Sequence, residues 1–217
     1  MLGMVQLMDS VPQTGGYGDC FGIEQLVSTG VVSRSEELRE LVISALQFSI
    51  GPADGITAGA VFQASRQGDF DQLPLVAAEL GGSHTPKDLQ LASLQTGAHI
   101  WEASRRWPWA CVVHEQLDGI AQRTGLFHAV AFGMLISEAT AQRARAIATC
   151  LLAAAKSIVI EAARWIPLDS DQTHRVLIEL QPTISQLALA YSQPDIAPLP
   201  IAPPERVIAA FKSRNAI

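Results

Sequence analysis

Residues 33–49 read SRSEELRELVISALQFS, and the spacing of their apolar positions predicts an amphipathic helix. Leu38, Leu41, Val42, Ala45 and Leu46 recur three and four positions apart and form one apolar stripe, while Arg39 and Glu40 sit off it. Ser33, followed three residues later by Glu36, reads as a capping box that starts this helix. Gly51-Pro52 predicts its end, with Pro52 in the first turn of the next helix, Ala53 to Ser65. The same 3.6-residue period dominates the rest of the chain, and period-two alternation is nearly absent. The predicted fold class is therefore all-α, a single-domain multi-helix bundle of about eight to ten helices.

Gly68 restarts the chain as a short acidic helix, Asp69 to Leu80, and Gly81-Gly82-Ser83 reads as a loop. Thr85-Pro86 opens a long helix from Lys87 to about Arg106, closed by Trp107-Pro108-Trp109, because proline disfavours helical geometry in the residue before it. A linker through His114 leads to an apolar helix, Phe127 to Ile136. A second long helix, Thr140 to Trp165, carries Ile147, Leu151, Leu152, Ala155, Ile158, Val159 and Ala162 at helical spacing. Its alanines permit close approach of a neighbouring helix, as core or as interface. Pro167 stops it, and Asp169 or Ser170 caps a helix toward Tyr191 that tolerates Pro182 with a break or kink. From Pro194 to Pro204 the segment PDIAPLPIAPP holds five prolines and should be extended, before a short basic helix, Glu205 to Arg214. Residues 1–193 thus read as the helical domain, and 194–217 as a proline-rich extended segment and short C-terminal helix suited to partner docking.

The chain has 217 residues, 48% apolar, 17% charged and only 6% aromatic, a composition that suits close-packed helices and leaves apolar surface for partners. A mean hydropathy of +0.22 leans the same way. The net charge of −6 argues against a dedicated nucleic-acid binder, which would show a basic stripe. The charge-free stretches Ala146 to Ala155 and Gly125 to Ser137 fall short of the ~18–20 residues of a membrane span. The start, MLGMVQLMDS, has no basic region and reaches Asp9 before any long apolar run, unlike a secretory signal. Cys20, Cys111 and Cys150 are odd in number and far apart, which fits a reducing compartment. A cytoplasmic protein with neither membrane nor nucleic acid among its partners is expected.

No G-x-x-x-x-G-K-[ST] loop occurs, and Gly15-Gly16-Tyr17-Gly18 does not follow a strand, so it reads as a sharp turn or a backbone contact surface. His114-Glu115-Gln116-Leu117-Asp118 is one residue away from the H-E-x-x-H zinc signature. It reads either as a metal-dependent hydrolase site using His114, Glu115 and Asp118, or as an exposed helix start with a solvated face. His84, His99, His114, His128 and His174 stand singly, and His128, inside Phe127-His128-Ala129-Val130, is the most notable for its apolar flanks. Cys20 beside Asp19 is a soft-metal donor or a semi-buried small residue. Arg105, Arg106, Trp107 and Trp109 make an aromatic and cationic patch, or a helix end with its cations set against the dipole. None of this assembles a catalytic centre, a metal-ligand set or a site for a stably bound cofactor, so no enzymatic activity is expected.

Residues 9–24, DSVPQTGGYGDCFGIE, resemble the N-terminal signature of the UreF family of urease accessory proteins, approximately D-S-x-L-P-x-G-x-[FY]-x-H-S-x-G-[LI]-E. Asp9, Ser10, Gly15, Tyr17, Gly22, Ile23 and Glu24 match it without a gap. His128-Ala129-Val130-Ala131-Phe132-Gly133 is similar to the family's H-P-V-x-[FY]-[GA] stretch. Ala163-Arg164-Trp165-Ile166-Pro167-Leu168, followed by Asp171-Gln172-Thr173, is similar to its A-x-R-L-x-P-L-G-Q-T block. The likeness covers most of the chain in order. Asp19-Cys20 replaces the His-Ser of the signature, Pro12-Gln13 its Leu-Pro, and Pro204-Glu205 stands where the family's tail has His-Glu.

The resemblance implies an all-α, dimerising, non-enzymatic maturation factor. It would bind a UreD/UreH-type accessory protein and recruit a UreG-type GTPase. Nickel would be handled by that complex and delivered to apo-urease. On this reading Tyr17, Asp19, Cys20 and Glu24 lie on or beneath a contact surface, and Glu205, Arg206, Phe211 and Lys212 engage the UreD-like partner. A helical adaptor of other purpose, sharing only the fold, is the alternative, and the hydrolase is the more distant one.

Overall fold

The computed structural model describes residues 2–9, 16–82, 85–193, 196 and 198–215. The signature residues 10–15, His84 and the Asp195 and Ala197 of the proline-rich segment lie outside them. Among the described residues all regular structure is helical. The α-helices are α1 (Leu2–Asp9), α2 (Tyr17–Cys20), α3 (Ile23–Ser28), α4 (Ser35–Ala45), α5 (Ile56–Gln67) and α6 (Leu73–Leu80). They continue as α7 (Lys87–Ser104), α8 (Cys111–Thr124), α9 (His128–Ala139), α10 (Arg143–Ala162), α11 (Ser170–Tyr191) and α12 (Pro204–Asn215).

The cap of α4 is displaced by one residue from the sequence expectation. The helix begins at Ser35, so Glu37 and not Glu36 turns back. Its Oε2 accepts from the Ser33 amide at 2.7 Å, the Ser33 hydroxyl at 3.0 Å and the Arg34 amide at 3.2 Å. The expected break at Gly51-Pro52 does not occur. Leu46–Gly55 instead forms a π-helical segment that joins α4 and α5 into one helix, Ser35–Gln67. In an α-helix Pro52 would clash with the Phe48 carbonyl and offer it no donor; the wider π turn removes the clash. The Phe48 carbonyl instead accepts the Ala202 amide at 2.7 Å, which fastens the C-terminal proline-rich stretch to the body. A Cβ at position 51 would lie 2.3 Å from the Leu46 carbonyl oxygen and 3.0 Å from the Tyr191 ring, so this segment needs glycine there. By length and hydropathy the continuous helix reaches the range of a membrane span, but 72% of its apolar window is buried within the fold.

Helix α9 is the central element: every residue from His128 to Ser137 is buried, and α5, α7, α10 and α1 pack around it. The alanines of α10 are resolved as core, with Ala146, Ala153, Ala154, Ala155 and Ala162 buried against α5, α11, α2 and the π segment. Helix α8 begins at Cys111, where a linker through His114 was expected, and covers α6 with Val113, Leu117 and Ile120. Asp169 caps α11, accepting the Gln172 amide at 2.7 Å while its own amide donates to Gln172 Oε1 at 3.0 Å. That helix runs unbroken through Pro182. The proline is exposed, and Ile178, whose carbonyl loses its donor, is 47% exposed, so water reaches that side. Val207 and Phe211 of α12 are buried beside α4, where Arg214 Nη2 donates to Ser44 Oγ at 2.6 Å.

Where α7 crosses the start of α9, a Cβ on Gly97 would lie 2.1 Å from the Leu126 carbonyl oxygen and 2.7 Å from the His128 nitrogen. Neither is a side chain that can swing away. Gly97→Ala is therefore expected to destabilise the fold by about 3 kcal/mol or more, as overpacking against backbone does. Gly119 in α8 has only the tip of Arg123 nearby, at 3.7 Å. Gly119→Ala should leave stability unchanged or raise it by up to about 1 kcal/mol through helix propensity. Urea unfolding of the two variants beside the wild type checks both.

Candidate functional site

Helices α2 and α3 are too short to hold themselves in place, so their position is fixed by what they pack on. Gly18 sits against α10 so closely that a Cβ would lie 2.6 Å from Glu161 Cβ. Gly22, at φ 58°, turns the chain from α2 into α3. This leaves Asp19 and Glu24 exposed and Cys20 half-buried. With Gly22, Ile23, Gln25 and Ser28, the two carboxylates line an open depression of about 340 Å³. The Cys20 thiol is pushed up to about 12, first by burial and then by the carboxylates of Asp88, Asp54, Glu205 and Asp19. Glu205 at the start of α12 is thus near enough to act on this thiol, while α12 itself packs on α4 and the π segment and α2 on α10 and α7. Arg206 and Lys212 are exposed on α12, whereas Phe211 is wholly buried and holds that helix down.

Tyr17 is wholly buried beneath this surface. Its hydroxyl donates to Asp54 Oδ2 at 2.7 Å and lies 3.0 Å from His128 Nδ1. Ser93 Oγ donates to Asp54 Oδ1 at 2.9 Å and accepts the His128 amide at 3.1 Å. The Ala129 amide also donates to Asp54. Cys150 Sγ is 3.9 Å from His128 Nδ1, and His128 Nε2 is buried without a partner. Burial pushes the Asp54 carboxyl up to about 6, against the opposing pull of the bonds from Tyr17, Ser93 and Ala129. Burial takes His128 down to about 3, so the ring is neutral. Tyr17 is held well above its ordinary value by burial and then by the Asp54 charge. Asp54 and Ser93 escaped the sequence reading. The signal for Asp54 was present: it is the one charged residue between Leu41 and Ser65.

Of the hydrolase candidates, Asp118 and His114 are otherwise engaged, and Glu115 is exposed. Asp118 Oδ1 accepts from Trp101 Nε1 at 2.9 Å and from Arg105 Nη2 at 3.0 Å, and His114 Nε2 lies 3.2 Å from Ser104 Oγ. Among the described residues no three His, Cys, Asp or Glu side chains gather as metal ligands. The aromatic patch is also turned to internal use. The Trp107 and Trp109 rings stack at 5.3 Å, Arg105 lies 4.4 Å from the Trp101 ring centre, and Trp109 Nε1 donates to Gln6 Oε1 of α1 at 2.6 Å. His99 and His174 are exposed.

A sequence model of the UreF family matches residues 32–181. The chain is similar to the urease accessory protein UreF of Geobacillus kaustophilus, 22% identical over 189 residues that cover 87% of this chain and 82% of that protein. It is similar to the urease accessory protein UreF of a Picosynechococcus strain, 25% identical with 82% and 80% covered. A Bradyrhizobium protein of the same name is 27% identical, with 81% and 72% covered.

Two outcomes follow from these environments. A small thiol reagent near neutral pH should modify the exposed Cys111 first, the protonated and half-buried Cys20 slowly, and the buried Cys150 only after unfolding; mass spectrometry of a time course reads the order. Because the folded carboxyl of Asp54 lies above its unfolded value, the folded state holds its proton longer, and the stability this contributes is full below about pH 4 and lost as pH rises through about 6. The loss is of order 3 kcal/mol. Asp54→Asn removes the titration, so its stability relative to wild type should climb across that window and then level, as urea unfolding at a series of pH values would record.

Proposed function

The chain belongs to the UreF family, and from that premise we propose that it is a urease accessory protein working as a non-catalytic scaffold. It binds a UreD/UreH-type protein and recruits a UreG-type GTPase, and the complex delivers nickel, its cargo, to apo-urease in the cytoplasm. The observation that carries this reading is the family match over residues 32–181. The open depression lined by α2 and α3 and the exposed charges of α12 support it. Asp19 and Glu24 offer charged side chains at that depression, Glu205, Arg206 and Lys212 offer them along α12, and Cys20 is half-buried beside Asp19. Tyr17 and Phe211 serve from below, by fixing the two helices that carry the contacts. Exposed apolar side chains, among them Phe48, Leu75, Val112 and Leu189, supply further surface for a homodimer or for the larger assembly. Asp118, bound by Trp101 and Arg105, gives the hydrolase alternative no support.

Tagged protein isolated from a urease-producing host should bring down a UreD/UreH-type protein and a UreG-type GTPase. Reversing charge at Asp19→Lys with Glu24→Lys, or at Arg206→Glu with Lys212→Glu, should reduce recovery of the UreD/UreH-type protein at least tenfold, a loss of about 1.4 kcal/mol or more, with the circular dichroism of the chain unchanged. Recovery of neither partner by the wild type sinks the function. Full recovery by both charge-reversed forms removes these surfaces from it.

A further inference from the structure

We infer that Tyr17, Asp54, Ser93 and His128 form a closed hydrogen-bond circuit with two self-consistent directions, and that one proton decides which direction, and which tautomer of His128, the protein holds. The argument is an account of donors and acceptors around groups that are all buried. With Asp54 ionised, the carboxylate only accepts, so the Tyr17 hydroxyl gives its single proton to Oδ2. The Tyr17 oxygen then faces His128 Nδ1 at 3.0 Å with lone pairs alone, and the contact is a bond only if Nδ1 carries the proton. Ser93 gives its proton to Oδ1 and accepts the His128 amide. Every polar atom in the circuit is then used, and His128 Nε2 is left as a bare lone pair, consistent with its lack of any partner.

Adding one proton offers a second arrangement, in which only the Nε2–H lacks a partner. Asp54 Oδ2–H donates to the Tyr17 oxygen, the Tyr17 proton turns to Nδ1, and the ring carries its proton on Nε2. The balance is one proton gained: it enters at Nε2, the Nδ1 proton passes to the Tyr17 oxygen, and the former Tyr17 proton passes to Asp54. The Ser93 bonds do not change. Placing the added proton on Asp54 while Nδ1 keeps its own would leave both the Tyr17 hydroxyl proton and the Nε2 lone pair unpaired, a costlier state in a dry core. The ring itself stays neutral throughout, since burial holds it at about 3 while Asp54 titrates near 6.

The titratable groups that face Asp54 are few. Tyr17 and Cys20 come from α2, His128 from α9 and Cys150 from α10, while Tyr191 of α11 packs on Gly51 and Gly55 of the same π segment. No cation figures among the groups that act on Asp54. The circuit is independent of the partner assignment and stands or falls without it.

Protein labelled with 15N in its five histidines separates the two states by long-range 1H–15N correlation. His128 is recognised as the ring that never becomes an imidazolium, and its signal is lost in His128→Asn. At about pH 8 the expected pattern has the proton on Nδ1, and at about pH 5 on Nε2, with a midpoint near that of Asp54. Asp54→Asn, whose amide donates where the protonated acid would, should show the Nε2–H pattern already at about pH 8. A proton on Nε2 in the wild type at about pH 8, an unchanged tautomer at about pH 5, or an Nδ1–H pattern in Asp54→Asn would each overturn the proposal. The wild-type pair of spectra decides even if the variant does not fold.

Discussion

A carboxylate sealed inside an apolar helix bundle has to be given donors by other elements, and Asp54 sets that requirement for this fold. No single helix can meet it. Tyr17 comes from α2, Ser93 from α7 and the Ala129 amide from the first turn of α9, so one side chain of the π segment orients three other helices. Its burial costs folding free energy, because the ionised form leaves water and receives no cation in return. Its contribution is to the arrangement it specifies. Any packing that moved Tyr17 or Ser93 away would leave the charge with nothing, which penalises the alternatives more than the native state. The short helix α2, with little cohesion of its own, gains a defined place by this means.

The rest of the core meets a different demand. With few aromatic side chains, the helices must approach closely to bury area, and small residues set the spacing. A Cβ on Gly133 of α9 would lie 2.9 Å from the Ala58 carbonyl oxygen of α5, and one on Gly59 the same distance from Ile147 of α10. Gly18 brings α2 onto α10 in the same way. The exposed carboxylates of Asp19 and Glu24 are therefore carried on backbone that abuts the core directly, and not on a loop. A scaffold that presents contacts to large partners benefits from this, since less freedom is lost when the partner binds.

How much of this was legible in the sequence depends on whether local pattern or distant contact decides. The helices with a clear stripe, α4, α7 and α10, were readable because burial repeats at the helical period, and the Asp169 cap because its chemistry is local. Gly51-Pro52 misled for the opposite reason. Local rules end a helix there, and what overrides them is the packing of Tyr191 on Gly51 and Gly55 and the wider π turn. At the candidate site, a family likeness singles out Tyr17, Asp19, Cys20 and Glu24, but their division into buried anchor and exposed surface is not legible in it. Alternate sides of a four-residue helix carry no period to read. Asp54 and Ser93 meet only in space, 39 positions apart along the chain, and a lone acid in an apolar run states its need without naming its donors.

The π segment also holds two distant stretches of the chain in place. Asp54 within it holds Tyr17 and so α2. Phe48, six residues earlier in the same segment, holds the C-terminal stretch through the bond from the Ala202 amide to its carbonyl. The second bond exists because Pro52 has no amide to give that carbonyl. A proline that looks like a helix terminator thus supplies the acceptor that docks the chain end, and a lone acid that looks like a misplaced charge docks the beginning. Both fall within Leu46–Gly55, the π-helical stretch of the described residues. Leu46–Gly55 therefore anchors both α2 and the stretch that leads into α12. A change that restored a regular helix there would be felt at both.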